Sequence, residues 1–313
     1  MIAANEGERQ RVVVVAGPTA TGKTALALSL ARSLDGELVG ADSVQVYRGF
    51  DIGSAKPTQK ELSGVPHHLI DVVDPDAPFD AARYRAMAAE AIAGVAARGR
   101  VPIVVGGTGL WIRALLRGLV PLPPPDPAIR ARLDQRAVEH GAPALHAELV
   151  QIDPLAASAI HPNDQLRIVR ALEVHEQTGQ KLGDLRAQHA LGAARYDAFI
   201  VVLDRARGDL DAAIVTRIRA MLDRGWVDEV RALRARWGPD VRAMQAVGYR
   251  DVLAFVEGRL GRDELEAHAY KSTRTYTRRQ RTWWASEEVQ LRVSGAAPEG
   301  DPCPAIEAFL KRT

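Results

Sequence analysis

The sequence has little of several features that define other protein classes. It contains one cysteine, Cys303, in 313 residues. That count excludes an internal disulfide framework and any metal site built on several thiolates. No apolar run approaches the roughly 20 residues of a membrane-spanning helix, and the run near the N-terminus is too short for a signal-peptide core. Charge of neither sign dominates, with 41 basic and 39 acidic residues. We therefore expect a globular cytoplasmic protein that does not contact membranes.

The rest of the composition is ordinary, with 47% hydrophobic and 26% charged residues, as in typical globular domains. At about 150 residues per domain, the length allows two domains or one domain with a large insertion. A chain of this length can bury its core without disulfides or structural metals. No coiled-coil pattern or obvious apolar patch indicates association, so we expect a monomer.

Strand-like and helix-like segments alternate in the first third of the chain. The run RVVVVA, residues 11–16, is β-branched with no polar alternation, which is typical of a central strand buried on both faces. Helices are predicted after this strand and at 81–98. Further strands are predicted at 38–42, 68–72, 101–105 and 198–203. The alternation predicts a parallel α/β sheet flanked by helices.

A proline-rich segment, LVPLPPPDP, marks a change of character near residue 120, because such a stretch is stiff and extended. From there to the strand at 198–203 the pattern is helical, and it is helical again from 210 to about 284. We expect a P-loop-type α/β core in residues 1–121, an all-helical insertion domain in 122–196, and a return strand with C-terminal helices in 197–313.

The strongest motif is GPTATGKT, which matches the phosphate-binding loop pattern G-x-x-x-x-G-K-[ST] and lies between a predicted strand and a predicted helix. Backbone N–H groups and the helix N-terminus favour a phosphate there. Lys23 can neutralise phosphate oxygens, and the Thr24 hydroxyl can ligate Mg²⁺. The motif indicates a di- or triphosphate ligand but not the reaction. Its positions are Gly17, Pro18, Thr19, Ala20, Thr21, Gly22, Lys23 and Thr24.

Two further groups follow predicted strands, at the edge where ligands bind in open α/β sheets. Asp42 could hold Mg²⁺ through water or act as a general base, or it could only cap a helix. The sequence GGTG, residues 106–109, could bind phosphate through backbone N–H groups and Thr108, or it could only form a tight turn. The strand before it does not end in the acidic residue typical of hydrolysing NTPases, which disfavours a motor ATPase.

The segment YKSTRTYTRRQRTWW, residues 270–284, is unusually basic and contains no acid. On a helix, Lys271, Arg274, Arg278 and Arg281 share one face, with Tyr276 and Trp283 on the opposite face towards the core. Such a stripe repels itself unless a polyanion lies against it, and arginine suits a nucleic-acid backbone. A solvated basic helix is the alternative.

Other charged and metal-binding residue types carry less information. Arg167 and Arg170 lie one turn apart on a predicted helix, and Arg217 and Arg219 lie on a later one. Single arginines at such spacings are usually solvated. His67, His68 and His161 have no metal-ligand spacing around them, so we expect ordinary turn or core histidines.

Together these pieces resemble the tRNA dimethylallyltransferase family, also called tRNA isopentenyltransferases. The matching segments are GPTATGKT, ADSVQVYRGFDIGSAKP, HHLIDVVDP, VVGGTGLWIRALLRGL, IHPNDQLRIVRALEV, AVGYRD and RRQRTWW, in the family's order from about residue 13 to residue 284. Trp111, Val44 and Phe50 depart from common family residues, and none is a proposed catalytic group. The single cysteine excludes the zinc-finger segment of some eukaryotic members, so the chain resembles the bacterial type.

The resemblance implies a reaction. A dimethylallyl group passes from dimethylallyl diphosphate to N6 of the adenosine just 3′ of the anticodon (position 37), in tRNAs that read codons starting with U. Asp42 corresponds to the family's general base, Thr108 to a threonine at the reaction centre, and Arg217 to an arginine that reaches the diphosphate. The phosphate loop and Mg²⁺ on Thr24 would then hold the diphosphate leaving group.

The resemblance also implies contacts with the anticodon stem-loop, in which the target base leaves the stack. The helical insertion would hold the stem-loop from one side. The positions that correspond to tRNA contacts are Asp42, Ser43, Val44, Gln45, Thr108, Arg130, Leu166, Arg167, Ile168, Val169, Arg170, Gln245, Ala246, Val247, Gly248, Tyr249, Arg250, Arg279, Gln280, Arg281, Thr282, Trp283 and Trp284.

Three other functions share part of this pattern. A small-molecule or nucleotide kinase would use the same loop for ATP, but it leaves the basic segment unexplained. A non-catalytic RNA-binding protein gated by a nucleotide explains the basic segment, but not Asp42 and Thr108 beside the phosphate loop. An adenylate isopentenyltransferase would use free AMP or ADP, and the long basic surfaces favour tRNA instead.

Overall fold

The computed structural model describes residues 9–190, 194–294 and 301–312. Contacts divide the chain into two compact units. One unit comprises Met1–Leu116 and Arg195–Thr313, and the other comprises Arg117–Ala194. The first contains the sheet, and the second has helices and no strand in its described part.

Six strands of the described chain form one sheet in the order β3-β2-β4-β1-β5-β6, and every pairing is parallel. The parallel α/β class predicted from the sequence is confirmed. The strands are β1 Arg11–Ala16, β2 Gly36–Gly40, β3 His67–His68, β4 Val101–Gly106, β5 Asp197–Asp204 and β6 Leu291–Ser294.

β1 lies between β4 and β5 and is buried on both faces, as its uninterrupted valines predict. Val12 and Val14 point into one hydrophobic core, and Val13 and Val15 into another, because successive strand residues face opposite sides of a sheet. Helices cover both faces, which explains why this strand shows no polar alternation.

The helices of the first unit form the two layers that cover the faces of the sheet. α3 begins after Asp80, whose carboxylate accepts the Arg83 N–H at 2.9 Å, a side-chain cap of the first turn. The prediction of a helix at 81–98 is confirmed. The helices of this unit are α1 Lys23–Ser33, α2 Gln59–Leu62, α3 Ala81–Ala97, α4 Gly109–Arg117 (which ends one residue into the second unit), α10 Arg207–Asp223, α11 Trp226–Trp237, α12 Tyr249–Val256, α13 Arg262–Ala285 and α14 Cys303–Leu310, with a short 3-10 helix at Arg242–Gln245.

Two parts of the strand prediction are wrong. The strand expected at 68–72 is only His67–His68, because Leu69 and Asp71 adopt left-handed φ values of 63° and 55° that end extended pairing. The edge strand β6 was not predicted, nor was α14. The four residues of β6, LRVS, alternate apolar and polar side chains, so a short period-two signal was present in the sequence. Pairing with β5 makes this segment an edge strand.

The second unit folds around its own core, which includes Leu133, Leu145, Leu149 and Leu172. Asp126 caps the first of its own helices by accepting the N–H groups of Ala128 at 2.8 Å and Ile129 at 3.1 Å, directly after the proline-rich segment. Its helices are α5 Pro127–His140, α6 Ala142–Ile152, α7 Pro154–Ser158, α8 Gln165–Thr178 and α9 Leu182–Ala190.

Candidate active site

The phosphate loop connects β1 to α1 at the carboxyl edge of the sheet. Gly17 has φ of 138°, and a Cβ there would lie 2.2 Å from the Leu203 carbonyl oxygen on β5, so only glycine fits beside that strand. Gly22 has φ of 93° at the start of α1. The buried Thr21 hydroxyl donates to the Pro18 carbonyl at 2.9 Å and closes the loop on itself. The loop's shape is thus set by its own residues.

Lys23 is the charged residue of this loop, and its ammonium group donates to the Pro18 carbonyl. Burial, with the nearby positive charge of Arg217, lowers the pKa of Lys23 to about 7, and Asp42 partly opposes that shift. An anion bound here would restore the charge of Lys23, because a negative ligand favours the protonated ammonium. Lys23, Arg217 and the N-terminus of α1 thus place positive charge at this loop.

Asp42 follows β2 at the same edge. Its Oδ1 accepts the N–H groups of Val44 at 2.9 Å and Gln45 at 3.2 Å, so the carboxylate closes an Asx turn. A turn and not an α-helix follows it, so the helix-cap alternative is wrong. Among the residues that the structure describes, nothing donates a hydrogen bond to Oδ2. One carboxylate oxygen is thus fixed, and the other is available to a ligand.

Thr108 joins the loop after β4 to the loop after β2. Its Oγ1 accepts the Ser43 N–H at 3.2 Å, and its own N–H donates to the Ala41 carbonyl at 3.2 Å. A Cβ at Gly106 would lie 2.1 Å from the Ala41 carbonyl oxygen, so the close approach of these two loops requires glycine. GGTG therefore acts as the tight turn that places the Thr108 hydroxyl beside the Asp42 turn.

Helix α13 adds two side chains to this edge. Gln280 is buried and bridges two loops: its Oε1 accepts the Thr19 N–H at 2.9 Å, and its Nε2 donates to the Gly107 carbonyl at 2.9 Å. One turn earlier, the Tyr276 hydroxyl lies beside the Thr108 and Gln280 side chains. Burial and the charge of Asp42 raise the pKa of Tyr276, so the phenol keeps its proton.

Tyr276 is a site residue that the sequence analysis missed. The helical pattern placed it towards the core, and that pattern does not distinguish the core from a polar cleft at the end of a sheet. The signal that could have found it is its spacing of four residues from Gln280, which lies within the family-like segment RRQRTWW.

Arg217 approaches the same edge from α10. Its guanidinium donates to the Ser54 carbonyl at 3.3 Å, and it interacts electrostatically with Lys23 and Asp42. Burial lowers the pKa of Arg217, although a guanidinium stays protonated at neutral pH. Arg219, two residues on, lies on the exposed side and pairs with Glu266 at 2.8 Å. The structure thus brings Lys23, Asp42, Thr108 and Arg217 together.

In the first unit, the positions that correspond to tRNA contacts of the family differ in solvent exposure. In one cluster, Gln245 and Arg250 are exposed, Ala246 and Val247 are half-buried, and Gly248 and Tyr249 are buried. In the other cluster, Arg279 and Thr282 are exposed, Arg281 and Trp283 are half-buried, and Gln280 and Trp284 are buried. The buried members support neighbouring residues, as Gln280 does, and the exposed members are accessible to a partner.

Acidic residues from other elements partly neutralise the basic stripe of α13. Arg281 pairs with Asp204 at 3.0 Å, and Arg274 pairs with Asp211 at 3.4 Å. Within the described residues, Lys271 and Arg278 of the stripe have no ion-pair partner, and nor has the neighbouring Arg279. The basic side chains of the stripe therefore repel one another less than the segment alone indicates, because β5 and α10 place acidic residues beside them.

In the second unit, Arg130 and Arg170 share the buried carboxylate of Glu173. Arg130 Nη2 lies 2.7 Å and Arg170 Nη1 2.8 Å from Glu173 Oε2, and the Asp126 N–H donates to Oε1 at 2.8 Å. Burial opposes ionisation, but the hydrogen bonds from the two arginines outweigh it and lower the pKa of Glu173. Glu173 therefore orients both arginines, and sequence reasoning missed it.

The neighbouring positions of α8 divide between surface and core. Leu166 is 75% exposed and Arg167 is exposed, whereas Ile168 and Val169 belong to the core of the second unit. A partner that contacts this helix would thus touch Leu166 and Arg167 directly.

Two of the three histidines singled out above have a local hydrogen-bond partner in the described chain. His68 bonds with Glu37 at 2.7 Å, and His161 accepts the Asn163 N–H at 3.1 Å. Burial lowers the pKa of His67 to about 4. Across the described ranges, no group of three or more His, Cys, Asp or Glu side chains could hold a metal ion. No helix of the described chain is long and apolar enough to cross a membrane.

Comparisons with known proteins identify the family of this chain. The IPP transferase family model matches residues 45–287. A tRNA dimethylallyltransferase of Anaeromyxobacter sp. (strain K) is 49% identical over 96% of each chain, and one of Geobacter sulfurreducens is 45% identical over 90% of this chain and 91% of the relative.

Solved structures give the same result. The full-length tRNA isopentenylpyrophosphate transferase of Bacillus halodurans is 34% identical, with a TM-score of 0.71 over 97% of this chain and 96% of the other. A eukaryotic dimethylallyltransferase acting on tRNA is 25% identical, with a TM-score of 0.77 over 96% of this chain and 78% of the other. This chain therefore belongs to the IPP transferase family, with the P-loop-type α/β fold of its solved relatives.

Proposed function

We propose that this protein is a tRNA dimethylallyltransferase. It would transfer the dimethylallyl group of dimethylallyl diphosphate to N6 of adenosine 37, just 3′ of the anticodon, in tRNAs that read codons starting with U. The observation that carries the proposal is the convergence of Lys23, Arg217, Asp42 and Thr108 at one edge of the sheet. Two cations suit a diphosphate, and a carboxylate with one open oxygen suits an amine that must lose a proton.

In the proposed reaction, the bond between the allylic carbon and the diphosphate oxygen breaks, and a bond from that carbon to N6 forms. The N6 proton passes to Asp42 Oδ2, and diphosphate leaves with the electron pair of the broken bond. An exocyclic amine is a poor nucleophile, so its proton is lost only as the new bond develops. A positioned carboxylate suits that timing because it removes a proton whose acidity is rising.

Lys23, Arg217 and the loop N–H groups would stabilise the charge that develops on the diphosphate. Mg²⁺ fits this site as an ion held mainly by phosphate oxygens and water, which is how proteins usually bind it. Among the described residues the Thr24 hydroxyl has no hydrogen-bond partner, so it is free to contribute one ligand. The ion would supply further charge neutralisation on the leaving group.

The exposed arginines would bind the anticodon stem-loop. Arg167, Arg250 and Arg279 are exposed, and Arg130 and Arg170 are held by Glu173. Phosphate contacts from such groups supply most of the affinity for nucleic acid. We propose that the enzyme works on tRNA as a monomer in the cytoplasm, and sedimentation with and without tRNA checks the oligomeric state.

The alternative functions would use different residues of the same site. A kinase would hold ATP in the loop, and it gives no role to the exposed arginines. A nucleotide-gated RNA-binding protein gives no role to the open oxygen of Asp42. An enzyme acting on free AMP or ADP would not need Arg167 or Arg279.

The test uses radiolabelled dimethylallyl diphosphate, Mg²⁺ and unmodified tRNA, with ATP, AMP and ADP in parallel reactions. We expect label in tRNA only, and nucleoside analysis is expected to locate it on N6 of adenosine 37. A tRNA with guanosine at position 37 is the matched control and should take up no label. Consumption of ATP without label transfer would favour the kinase, and label in AMP or ADP would favour the free-nucleotide enzyme.

A further inference from the structure

The 51–56 loop is held by one carboxylate, that of Glu229 on α11. Glu229 Oε2 accepts the N–H groups of Asp51 at 3.0 Å and Ile52 at 2.6 Å, and Oε1 accepts that of Gly53 at 3.2 Å. The Tyr249 hydroxyl donates to Oε1 at 2.7 Å. Four donors thus surround this carboxylate, three of them consecutive backbone N–H groups. Such a nest is specific for an anionic acceptor.

Two further anchors keep this loop in one position. A Cβ at Gly53 would lie 2.0 Å from Trp226 Nε1, so the loop backbone packs directly on that ring. At the other end, Lys56 Nζ bonds to the Tyr47 carbonyl at 3.0 Å and to Asp51 Oδ1 at 2.6 Å. The 51–56 loop therefore cannot shift without breaking packing or hydrogen bonds.

The fixed loop turns two carbonyl oxygens towards the candidate active site. The Ser54 carbonyl accepts Arg217 Nη2 at 3.3 Å and Gln45 Nε2 at 3.1 Å, and the Ala55 carbonyl accepts Gln45 Nε2 at 3.2 Å. Arg217 is the arginine proposed for the diphosphate, and Gln45 is one of the residues proposed for tRNA. Both side chains thus depend on the position of one short backbone segment.

We propose that Glu229 is a positioning residue for the transfer reaction: through the 51–56 loop it fixes the Ser54 carbonyl that orients Arg217 towards the diphosphate. The hydrogen bonds of Glu229 in the described chain go to the loop backbone and Tyr249, not to Lys23, Asp42, Thr108 or Arg217. The inference rests on the proposed function, because it takes from there the role of Arg217.

A carboxylate is needed at this position for a chemical reason. All the groups that face it are donors, and an ionised carboxylate only accepts. A glutamine would present its NH₂ group to at least one N–H group. That N–H group would then lose its acceptor, which is costly for a partly buried backbone group.

The experiment compares Glu229→Gln with Asp228→Asn. Asp228 is the neighbouring acid in the first turn of α11, is 78% exposed, and among the described residues pairs only with Arg231, at 2.8 Å. Both variants remove one negative charge from the first turn of α11. The readouts are the affinity for inorganic diphosphate with Mg²⁺ by calorimetry, the KM for dimethylallyl diphosphate against kcat, and the thermal melting temperature.

We expect Glu229→Gln to weaken diphosphate binding and raise the KM by about tenfold, with a smaller change in kcat. Asp228→Asn is expected to stay within about twofold of the wild type. In an Arg217→Ala background, where the phosphate loop still binds diphosphate, Glu229→Gln is expected to add less than about twofold, because it acts through Arg217. If Glu229→Gln does not fold, Glu229→Asp keeps the charge, withdraws the oxygens by one methylene and should change binding in the same direction.

Two results would overturn the proposal. One is equal behaviour of Glu229→Gln and Asp228→Asn. The other is an equal loss of diphosphate affinity with and without Arg217, which would mean that Glu229 only supports the fold. Failure of the proposed function has a different signature, because the wild-type protein would then transfer no label in the parallel assay.

Discussion

The carboxyl edge of the sheet and the basic stripe of α13 hold their polar groups in different ways. At the edge, backbone N–H groups fix Asp42 and Thr108, and side-chain amides join the loops. On the stripe, three of the four side chains are exposed and Arg281 is half-buried, and Arg281 and Arg274 form ion pairs with Asp204 and Asp211. Buried charges act strongly on their neighbours, whereas exposed charges are screened by salt.

The difference indicates separate roles. Groups fixed at the edge can act on a reacting atom, because their geometry is set before the substrate arrives. Groups on the stripe can add only long-range attraction and phosphate contacts, each of modest size. We therefore expect changes at the edge to alter the reaction and changes on the stripe to alter the binding of tRNA.

Of the next four predictions, the one for Lys23→Ala has the largest expected effect. The substitution removes the ammonium group of the phosphate loop, and kcat/KM for dimethylallyl diphosphate should fall by about 100-fold or more. Steady-state kinetics at saturating tRNA measure this. An unchanged dependence on the diphosphate donor would contradict the role assigned to the phosphate loop.

The second prediction concerns pH. Because the pKa of Lys23 in the free protein is lowered to about 7, raising the pH above that value removes the charge that binds diphosphate. The dissociation constant for diphosphate should then rise by up to about tenfold per pH unit. Calorimetry between pH 6 and 9 measures the profile.

The matched control is Lys23→Arg, which stays charged throughout that range and cancels the titration of the ligand itself. Its profile should be flatter than that of the wild type above pH 7. Parallel profiles for the two proteins would mean that Lys23 does not titrate there.

The third prediction concerns Tyr276→Phe. It keeps the ring and removes the hydroxyl that lies beside Thr108 and Gln280, so kcat should fall by about tenfold with little change in the KM for either substrate. Tyr270→Phe, on the same helix but packed against α10, is the control and should have no such effect. Equal kcat values for the two variants would assign Tyr276 to packing alone.

The smallest effect is expected on the stripe. Arg278→Gln removes a charge that has no ion-pair partner in the described part of the chain, and the slope of log affinity for tRNA against log salt should fall by about one. Arg274→Gln, whose charge is paired with Asp211, should change the slope less. Filter binding at several salt concentrations compares them, and equal slopes would mean that pairing does not decide which arginines meet RNA.

Local patterns in the sequence predicted the sheet and the phosphate loop. Burial on both faces of the sheet requires the valines of β1, and backbone conformation requires the glycines at 17 and 22. Each of these causes determines the sequence over only a few consecutive residues. The same holds for GGTG, whose close approach to Ala41 requires Gly106. Such features can be predicted because their causes are short-range.

The missed features depend on contacts between distant segments. Glu229 and Glu173 look like surface acids in the sequence, and only the fold brings three backbone N–H groups to the first and two arginines to the second. The same is true of Asp204 and Asp211, which pair with arginines of α13. No periodicity within one element could reveal these partners.

The measurement that tests the division of roles most directly is made on Asp42→Asn and Arg278→Gln side by side. For each we would determine the single-turnover rate constant with saturating tRNA and the dissociation constant for tRNA. We expect Asp42→Asn to lower the rate constant by about 1,000-fold with tRNA affinity unchanged, and Arg278→Gln to weaken tRNA binding with the rate constant unchanged. Near-normal turnover in Asp42→Asn would exclude Asp42 as the base and contradict the assignment of the chemistry to the sheet edge.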